Sequence, residues 1–282
     1  MSIDAKRRAA AIAFIALLVL SVWWPSPIVS VNRLCCNSSL GIDELSFLGR
    51  ESPSWDVAFW CVAILFALIL FREARDFGTV GDEIRDIRLS GGIGMVIATV
   101  VAAALVTVIW FSADAPVTSW AERINSDELE SWIRIANRFG GGFNPVMIIA
   151  FYLLAGLAYV NRRWIRLAVH MTIAGATAGI LVQILKLAVG RTRPELWLGP
   201  FHHARASASS FPSGHTVGAF ALAGVLILGA ESRTLRVIAA LLAFAVALSR
   251  VLAFRHWTSD VTASAAIGLL VAATLRSPRS SR

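Results

Sequence analysis

Three short polar clusters interrupt an otherwise apolar chain: Lys186 with Arg193, Ser213-Gly214-His215, and Arg250 with His256 and Asp260. Three cations, two imidazoles and one carboxylate make an anion site with acid–base capacity. Arginine offers planar, bidentate donors that fit phosphate, and lysine adds a point charge. Ser213-Gly214-His215 precedes an apolar run and opens a helix, so its unpaired N–H groups also point at an anion. His256 and Asp260 are four apart and share one face of a helical turn. A carboxylate there accepts from one ring nitrogen and fixes the tautomer that leaves the other nitrogen free to attack. His215 is left to protonate the leaving oxygen. Together these residues read as phosphoryl transfer through a histidine nucleophile, with no metal. A metal site is disfavoured because there is no HExxH, no cysteine in the clusters, and an excess of cations. The bland alternative is a structural ion-pair network. No GxGxxG or Walker A sequence occurs, so no nucleotide cofactor is implied, and no cofactor of any kind is expected.

What must position these clusters is a membrane bundle. A spanning helix needs about 20 mostly apolar residues. Eight such runs are read, at roughly 9–24, 55–71, 92–111, 145–160, 167–189, 215–230, 237–252 and 260–275. The first follows Lys6, Arg7 and Arg8 but runs into Trp23-Trp24-Pro25, so it is read as an uncleaved anchor. Arginines fall in alternate loops: Arg72, Arg75, Arg85 and Arg88, then Arg162, Arg163 and Arg166, then Arg233 and Arg236, then the tail. These loops define the cytoplasmic side, and both termini lie there. The opposite side takes 26–54, 112–143, 190–214 and 253–259. All three clusters therefore sit at one outer face. The stretch 112–143 is read as one or two amphipathic surface helices, closed by the flexible Gly140-Gly141-Gly142. Small-residue spacings at Gly175/Gly179 and Gly214/Gly218 suggest close helix approach.

Composition agrees. Hydrophobic residues make up 57% and charged residues 16%, with a mean hydropathy of +0.68. Soluble domains run at about 45–50% and roughly 25%. Disorder and a single soluble globule are excluded, and three cysteines exclude a disulfide scaffold. The pI near 10.6 reports arginine in cytoplasmic loops rather than a nucleic-acid partner. One basic cluster breaks that pattern: Lys186, Arg191, Arg193, Arg205, His202 and His203 lie outside, and function is the usual reason.

Lys186 to Arg193-Pro194 reads K-x6-R-P, Pro212 to His215 reads P-S-G-H, and Ser249 to Asp260 reads S-R-x5-H-x3-D. Together they resemble the three-part signature of the type 2 phosphatidic acid phosphatase (PAP2) family, whose phosphate cradle is shared with vanadium haloperoxidases. The resemblance covers roughly 92–275. It implies an all-α, polytopic transmembrane bundle: a six-span core at 92–282, preceded by a two-span extension at 1–91 that is a departure from the family. It implies His256 as nucleophile, Asp260 as its orienting partner and His215 as general acid. Lys186, Arg193, Ser213, Gly214 and Arg250 would hold phosphate. The expected activity is hydrolysis of a lipid phosphate at the outer face of a cytoplasmic membrane, the bilayer and the substrate being the partners. The candidates are phosphatidic acid, phosphatidylglycerol phosphate, a polyprenyl diphosphate and a lipid A phosphate. The alternatives are a lipid phosphotransferase with the same intermediate and a non-enzymatic lipid-binding or transport protein.

Other residues receive quieter readings. Arg191 is taken as a surface residue, or as touching a second phosphate or headgroup. His202 and His203 are solvated or at the rim, and His170 is structural. Asp114 and Glu122 belong to the outer amphipathic segment. No disulfide is assigned to the adjacent Cys35 and Cys36. Trp197, Phe201, Phe211 and Trp257 either anchor at the interface or line the entry for a lipid chain.

Overall fold

The structure, a computed structural model, describes residues 78–276 apart from 142, 197 and 204–208. The runs expected at 9–24 and 55–71, and Cys35-Cys36, lie outside the described residues. Helices dominate. They are α1 (Gly78–Arg85), α2 (Ile93–Ser112), α3 (Asp114–Arg123), α4 (Asp127–Gly140), α5 (Phe143–Ala158), α6 (Arg162–Val189), α7 (Gly214–Gly229), α8 (Arg233–Leu252) and α9 (Thr258–Thr274). Each of the six apolar runs read between 92 and 275 is a helix. Of these, α2, α6 and α8 are long and apolar enough to cross a membrane, whereas α5, α7 and α9 are shorter apolar helices.

Helix α2 is apolar on every side yet covered by protein on almost none, with Val96, Ile97, Val100, Val101 and Val108 all exposed. A helix apolar all round needs an apolar solvent, and for α2 that solvent is lipid. Helix α6 begins before the apolar run does. The Asn161 side chain accepts from the N–H groups of Arg163 and Trp164, at 3.1 and 3.2 Å, so the arginine-rich first turn is helical too. The stretch read as one or two surface helices is two, α3 and α4. Ser126 caps α4, accepting from Leu129 N at 3.3 Å, and Asp127, Glu128 and Glu130 fill its first turn.

Helix α7 is the centre. Val217, Ala221, Leu222 and Val225 on α7 pack against Met171 and Val182 of α6, Ala239 and Ala243 of α8, and Val271 and Ala272 of α9. The closest helix approaches do not use the expected glycines. A Cβ on Gly179 or Gly218 would meet nothing within 4 Å, and Gly175 and Gly214 make only ordinary contacts. Instead Gly268 on α9 lies against the α7 backbone, where a Cβ would fall 2.6 Å from Val217 O and 2.7 Å from Ala221 N. Sequence spacing found glycine pairs along one helix, but close approach needs one glycine facing a partner's main chain.

At the end expected to be cytoplasmic, polar contacts fasten the bundle. Arg163 on α6 donates to Gly229 O at the end of α7 and pairs with Glu231. Arg166 pairs with the buried Glu83 of α1 at 2.9 Å. A short antiparallel pairing joins β1 (Arg88–Leu89) to β2 (Leu275–Arg276), so residues 78–91 are stitched to the end of α9. His170 is buried in this region of α6, in keeping with a structural role.

Replacing Gly268 with Ala drives a methyl group into backbone that cannot rotate away. Overpacking of this kind costs about 1–3 kcal/mol. Gly268→Ala is expected to lower the thermal midpoint in detergent, whereas Gly179→Ala, which enters open space, leaves it unchanged or raises it. Equal midpoints for the two variants would show that the α7–α9 approach is not tight.

Candidate active site

The first cluster is built by the end of α6. Gly190 stops the helix in the left-handed region, φ 60°, with its N–H on Lys186 O at 3.1 Å. Glycine adopts that conformation without strain. The turn leaves Lys186 in the last turn of α6 and sends Arg191, Thr192 and Arg193 across the bundle. The second cluster is the start of α7. Ser213 is fully buried; its Oγ accepts from Thr216 N at 3.4 Å and from Thr216 Oγ1 at 3.0 Å, which leaves its own proton to donate. Its N–H donates to Ser264 Oγ on α9 at 2.8 Å, and Ser264 Oγ donates to Asp260 O at 2.6 Å, so the starts of α7 and α9 are joined.

The third cluster is the corner between α8 and α9. Arg250 ends α8, and its carbonyl accepts from Arg255 N and His256 N at 3.2 and 3.3 Å. The Arg250 guanidinium donates to Asn137 Oδ1 of α4. Gly140, also on α4, sits so close to His215 and Val246 that its Cβ would lie 3.0 Å from His215 Cβ and 2.5 Å from Val246 Cγ1. The amphipathic helix α4 is therefore a wall of the site, and the glycines read as a flexible turn include one required for packing.

His256 is buried before α9 begins, and its Nδ1 lies 2.6 Å from Ser210 O. A carbonyl only accepts, so Nδ1 carries the proton and Nε2 keeps the lone pair. The expected direct bond from Asp260 to His256 is replaced. Asp260 Oδ2 accepts from Ser210 Oγ at 2.5 Å and from Trp257 N at 2.9 Å, and Oδ1 accepts from Arg191 at 2.5 Å. The reason is local. His256 is outside the helix, so the spacing of four residues does not stack its ring on Asp260. The carboxylate reaches the imidazole through Ser210.

The charges of Lys186, Arg193 and Arg250 all act on His256, and the same three act on His215. The Nε atoms of Arg193 and Arg250 are buried with no hydrogen-bond partner among the described residues. Buried donors without acceptors are costly, and two of them among three cations suit an oxyanion. Burial first, and then the positive charge of Arg250, hold the His256 ring well below the usual imidazole range, opposed by the bond to Ser210 O. Asp260 and Asp114 lie behind Ser210, and Glu195 pairs with Arg193 at 3.4 Å and with Arg255 at 3.0 Å.

The structure thus brings together Lys186, Arg193, Ser213, Gly214, His215, Arg250 and His256, with Asp260 one residue removed. It overturns two quieter readings. Arg191 is not a surface residue but is wholly buried. Its side chain pairs with Asp114 at 2.6 Å and with Asp260 at 2.5 Å. Trp257 is not an interfacial anchor; it is 3% exposed and donates from Nε1 to Thr192 O at 2.8 Å. Asp114 does begin a short helix, but its side chain is buried. His202, His203 and Glu122 are exposed as expected, and Phe201 is exposed against Phe111, ring centres 5.4 Å apart. Trp197 lies outside the described residues. Sequence reasoning missed Ser210, Asn137 and Ser259. A signal existed for the Arg191–Asp114 pair: each is a charge immediately after an apolar run, on the same side of the membrane. Ser210 had none, since its carbonyl is what acts.

Residues 165–279 match the model of the PAP2 superfamily. The segment includes all three clusters. The chain is 34% identical over 130 residues to a lipid A 1-phosphatase of Porphyromonas gingivalis; the match covers 45% of this chain and spans 27% of that relative's length. Its fold is similar to the crystal structure of a transmembrane PAP2-type phosphatidylglycerolphosphate phosphatase from Bacillus subtilis. The TM-score is 0.51 at 24% identity, over 63% of this chain and 91% of the other.

The His256 environment makes a checkable statement. The folded ring resists a proton that the unfolded chain takes up near its ordinary value of 6.5. Its contribution to stability is therefore intact above that value and is lost as pH falls below it. In detergent-solubilised protein with ¹⁵N-labelled histidine, the His256 ring is expected to stay neutral, with the proton on Nδ1, at pH 6. A ring that charges with a midpoint near 6.5 would contradict this geometry.

Proposed function

We propose that the protein is an integral-membrane lipid phosphate phosphatase working through a phosphohistidine intermediate. The observation that carries this reading is the convergence of Lys186, Arg193 and Arg250 on two histidines at the open start of α7. His256 Nε2 attacks phosphorus, and the bond from phosphorus to the lipid oxygen breaks. His215 gives its proton to that oxygen. Water then attacks the phosphohistidine with His215 taking its proton, releasing inorganic phosphate and restoring both rings. Arg193, Arg250, Lys186, the Ser213 hydroxyl and the N–H groups opening α7 hold the phosphoryl oxygens and stabilise the charge that develops on them. Asp260 acts behind Ser210 as the support of the nucleophile.

The substrate class is a phosphomonoester or diphosphate of a lipid. The relatives named above support lipid A and phosphatidylglycerol phosphate as the first compounds to assay. The exposed Phe201, Phe111 and Leu198 beside the site suit an acyl or prenyl chain arriving from the bilayer. The site faces the outer side of a cytoplasmic membrane, with the arginine-rich loops and both termini inside.

Two measurements test the reading. Phosphoenzyme trapped with ³²P-labelled substrate and acid-free quenching is expected in the wild type and absent in His256→Ala. His215→Ala is expected to slow a lipid monoester by about 10²–10⁴-fold and to slow an aryl phosphate, whose oxygen leaves readily, much less. Phosphoenzyme in His256→Ala but none in His215→Ala would reverse the two roles. In the second, hydrolysis is expected to survive EDTA, because protein cations and N–H groups supply the charge stabilisation, and to be inhibited by vanadate. Activity abolished by EDTA and restored by one divalent metal would overturn the mechanism.

A further inference from the structure

Arg191 belongs to none of the three signature clusters, yet it is the largest fully buried side chain among the described residues. Every nitrogen of its guanidinium is used. Nε donates to Pro200 O at 2.9 Å and Nη2 to Asp114 Oδ2 at 2.6 Å. Nη1 donates to Asp260 Oδ1 at 2.5 Å and to Ser259 Oγ at 2.7 Å. The plane lies 4.1 Å from the Trp110 ring centre and 5.2 Å from that of Trp257. Asp114 meanwhile accepts from Ser259 N at 2.8 Å and from Ser259 Oγ at 2.6 Å, closing the first turn of α9. The chain of contacts runs from Asp114 through Arg191 and Asp260 to Ser210, whose carbonyl holds His256.

We propose that Arg191 and Asp114 are positioning residues for the nucleophile: they fix Asp260 and Ser210, and their network of two carboxylates and one guanidinium sets a single net negative charge behind His256. The proposal rests on His256 being the nucleophile. When Nε2 bonds to phosphorus, the ring becomes cationic while Nδ1 keeps its proton. Ser210 O then holds a stronger donor, and the negative charge beyond it favours the cation. The lysine and arginines of the cradle cannot do this, because their charge opposes a cationic ring. The network thus acts on the phosphorylation step and leaves the binding of phosphate to the cradle.

The test is a series graded by what each variant removes. Asp114→Asn keeps the shape and an acceptor for Ser259 N but deletes the charge. Arg191→Lys keeps the charge but loses the fork that joins three partners. Ser259→Ala deletes one hydroxyl and keeps both charges, so it is the mildest. Glu231→Gln removes an acidic group at the opposite end of the bundle and is the control. Each purified protein is titrated with vanadate to count intact cradles, and kcat is expressed per vanadate-binding site, so an unfolded fraction does not count as a loss of rate. Asp114→Asn and Arg191→Lys are expected to lower kcat per site, and the rate of phosphoenzyme formation, by about 10–100-fold, the scale of a misplacement near 1 Å. KM and the vanadate Kd should stay within about threefold, and Ser259→Ala should fall between these variants and the wild type. Normal kcat per site in Asp114→Asn and Arg191→Lys, or in Ser259→Ala if neither of those folds, would overturn the proposal. A loss seen only in KM and vanadate affinity would overturn it too, since the network would then be shaping the cradle. Failure of the underlying reading looks different: the wild type itself would form no phosphoenzyme.

Discussion

A guanidinium with no exposed surface, held between two buried carboxylates, is the constraint on which the rest of the site depends. Taking such charges out of water is expensive, and the cost is offset only when geometry is good and the remaining donors and acceptors are used. Here they are used. Every guanidinium nitrogen of Arg191 donates, and Asp114 and Asp260 accept from the backbone at the start of α9 as well as from side chains. The three partners come from the α2–α3 junction, the chain leaving α6 and the first turn of α9. None can shift alone without leaving a charge unpaired. The same segment is laced by main-chain bonds, Ser210 N to Arg191 O at 2.6 Å and Thr192 N to His202 O at 3.0 Å, so the loop carrying the His256 acceptor is part of the locked unit.

This arrangement separates charge across one imidazole ring. Lys186, Arg193 and Arg250 bring positive fields to His256. On the Nδ1 side lie Ser210 and, behind it, the net negative network. A proton is held on Nδ1, and Nε2 keeps its lone pair. Burial strengthens both effects, because little water is present to screen them. On the proposed mechanism, these features meet the two changes that phosphorylation of a histidine makes: an oxyanion arriving at Nε2 and positive charge developing on the ring.

The sequence disclosed the helices and the three polar clusters but not the contacts that hold His256. Apolar runs locate helices well where lipid or protein surrounds them, and all six runs in the described region are helices. Their ends are less legible, since Asn161 starts α6 in a turn that composition alone reads as loop. The cradle residues are visible because each is a charge or imidazole where charge is otherwise excluded. Asp260 was expected to touch His256 and does not, because residue spacing assumes a helix that begins only at Thr258. Arg191 was undervalued because its partner Asp114 is distant in sequence, and no local pattern encodes that meeting. Ser210 acts mainly through a main-chain carbonyl, which no residue type can advertise. The close approach of α7 and α9 was misassigned for a related reason: Gly268 matters for what faces it, not for its spacing from another glycine.

The two short helices α7 and α9 start side by side, and each presents the positive end of its dipole to the site. They are treated differently. The start of α9 is closed by the protein's own anions, Asp114 on Ser259 N and Asp260 on Trp257 N. The start of α7 is capped only at Thr216 by Ser213, an uncharged group, so its first N–H groups remain directed at the cradle. An anion entering between the two helices therefore meets one satisfied terminus and one open one. On the proposed mechanism it is the open terminus of α7, which carries His215, that takes the phosphate. On that reading the carboxylates that support His256 also close the other terminus to phosphate, so one set of residues would serve both to orient the ring and to select where its target binds.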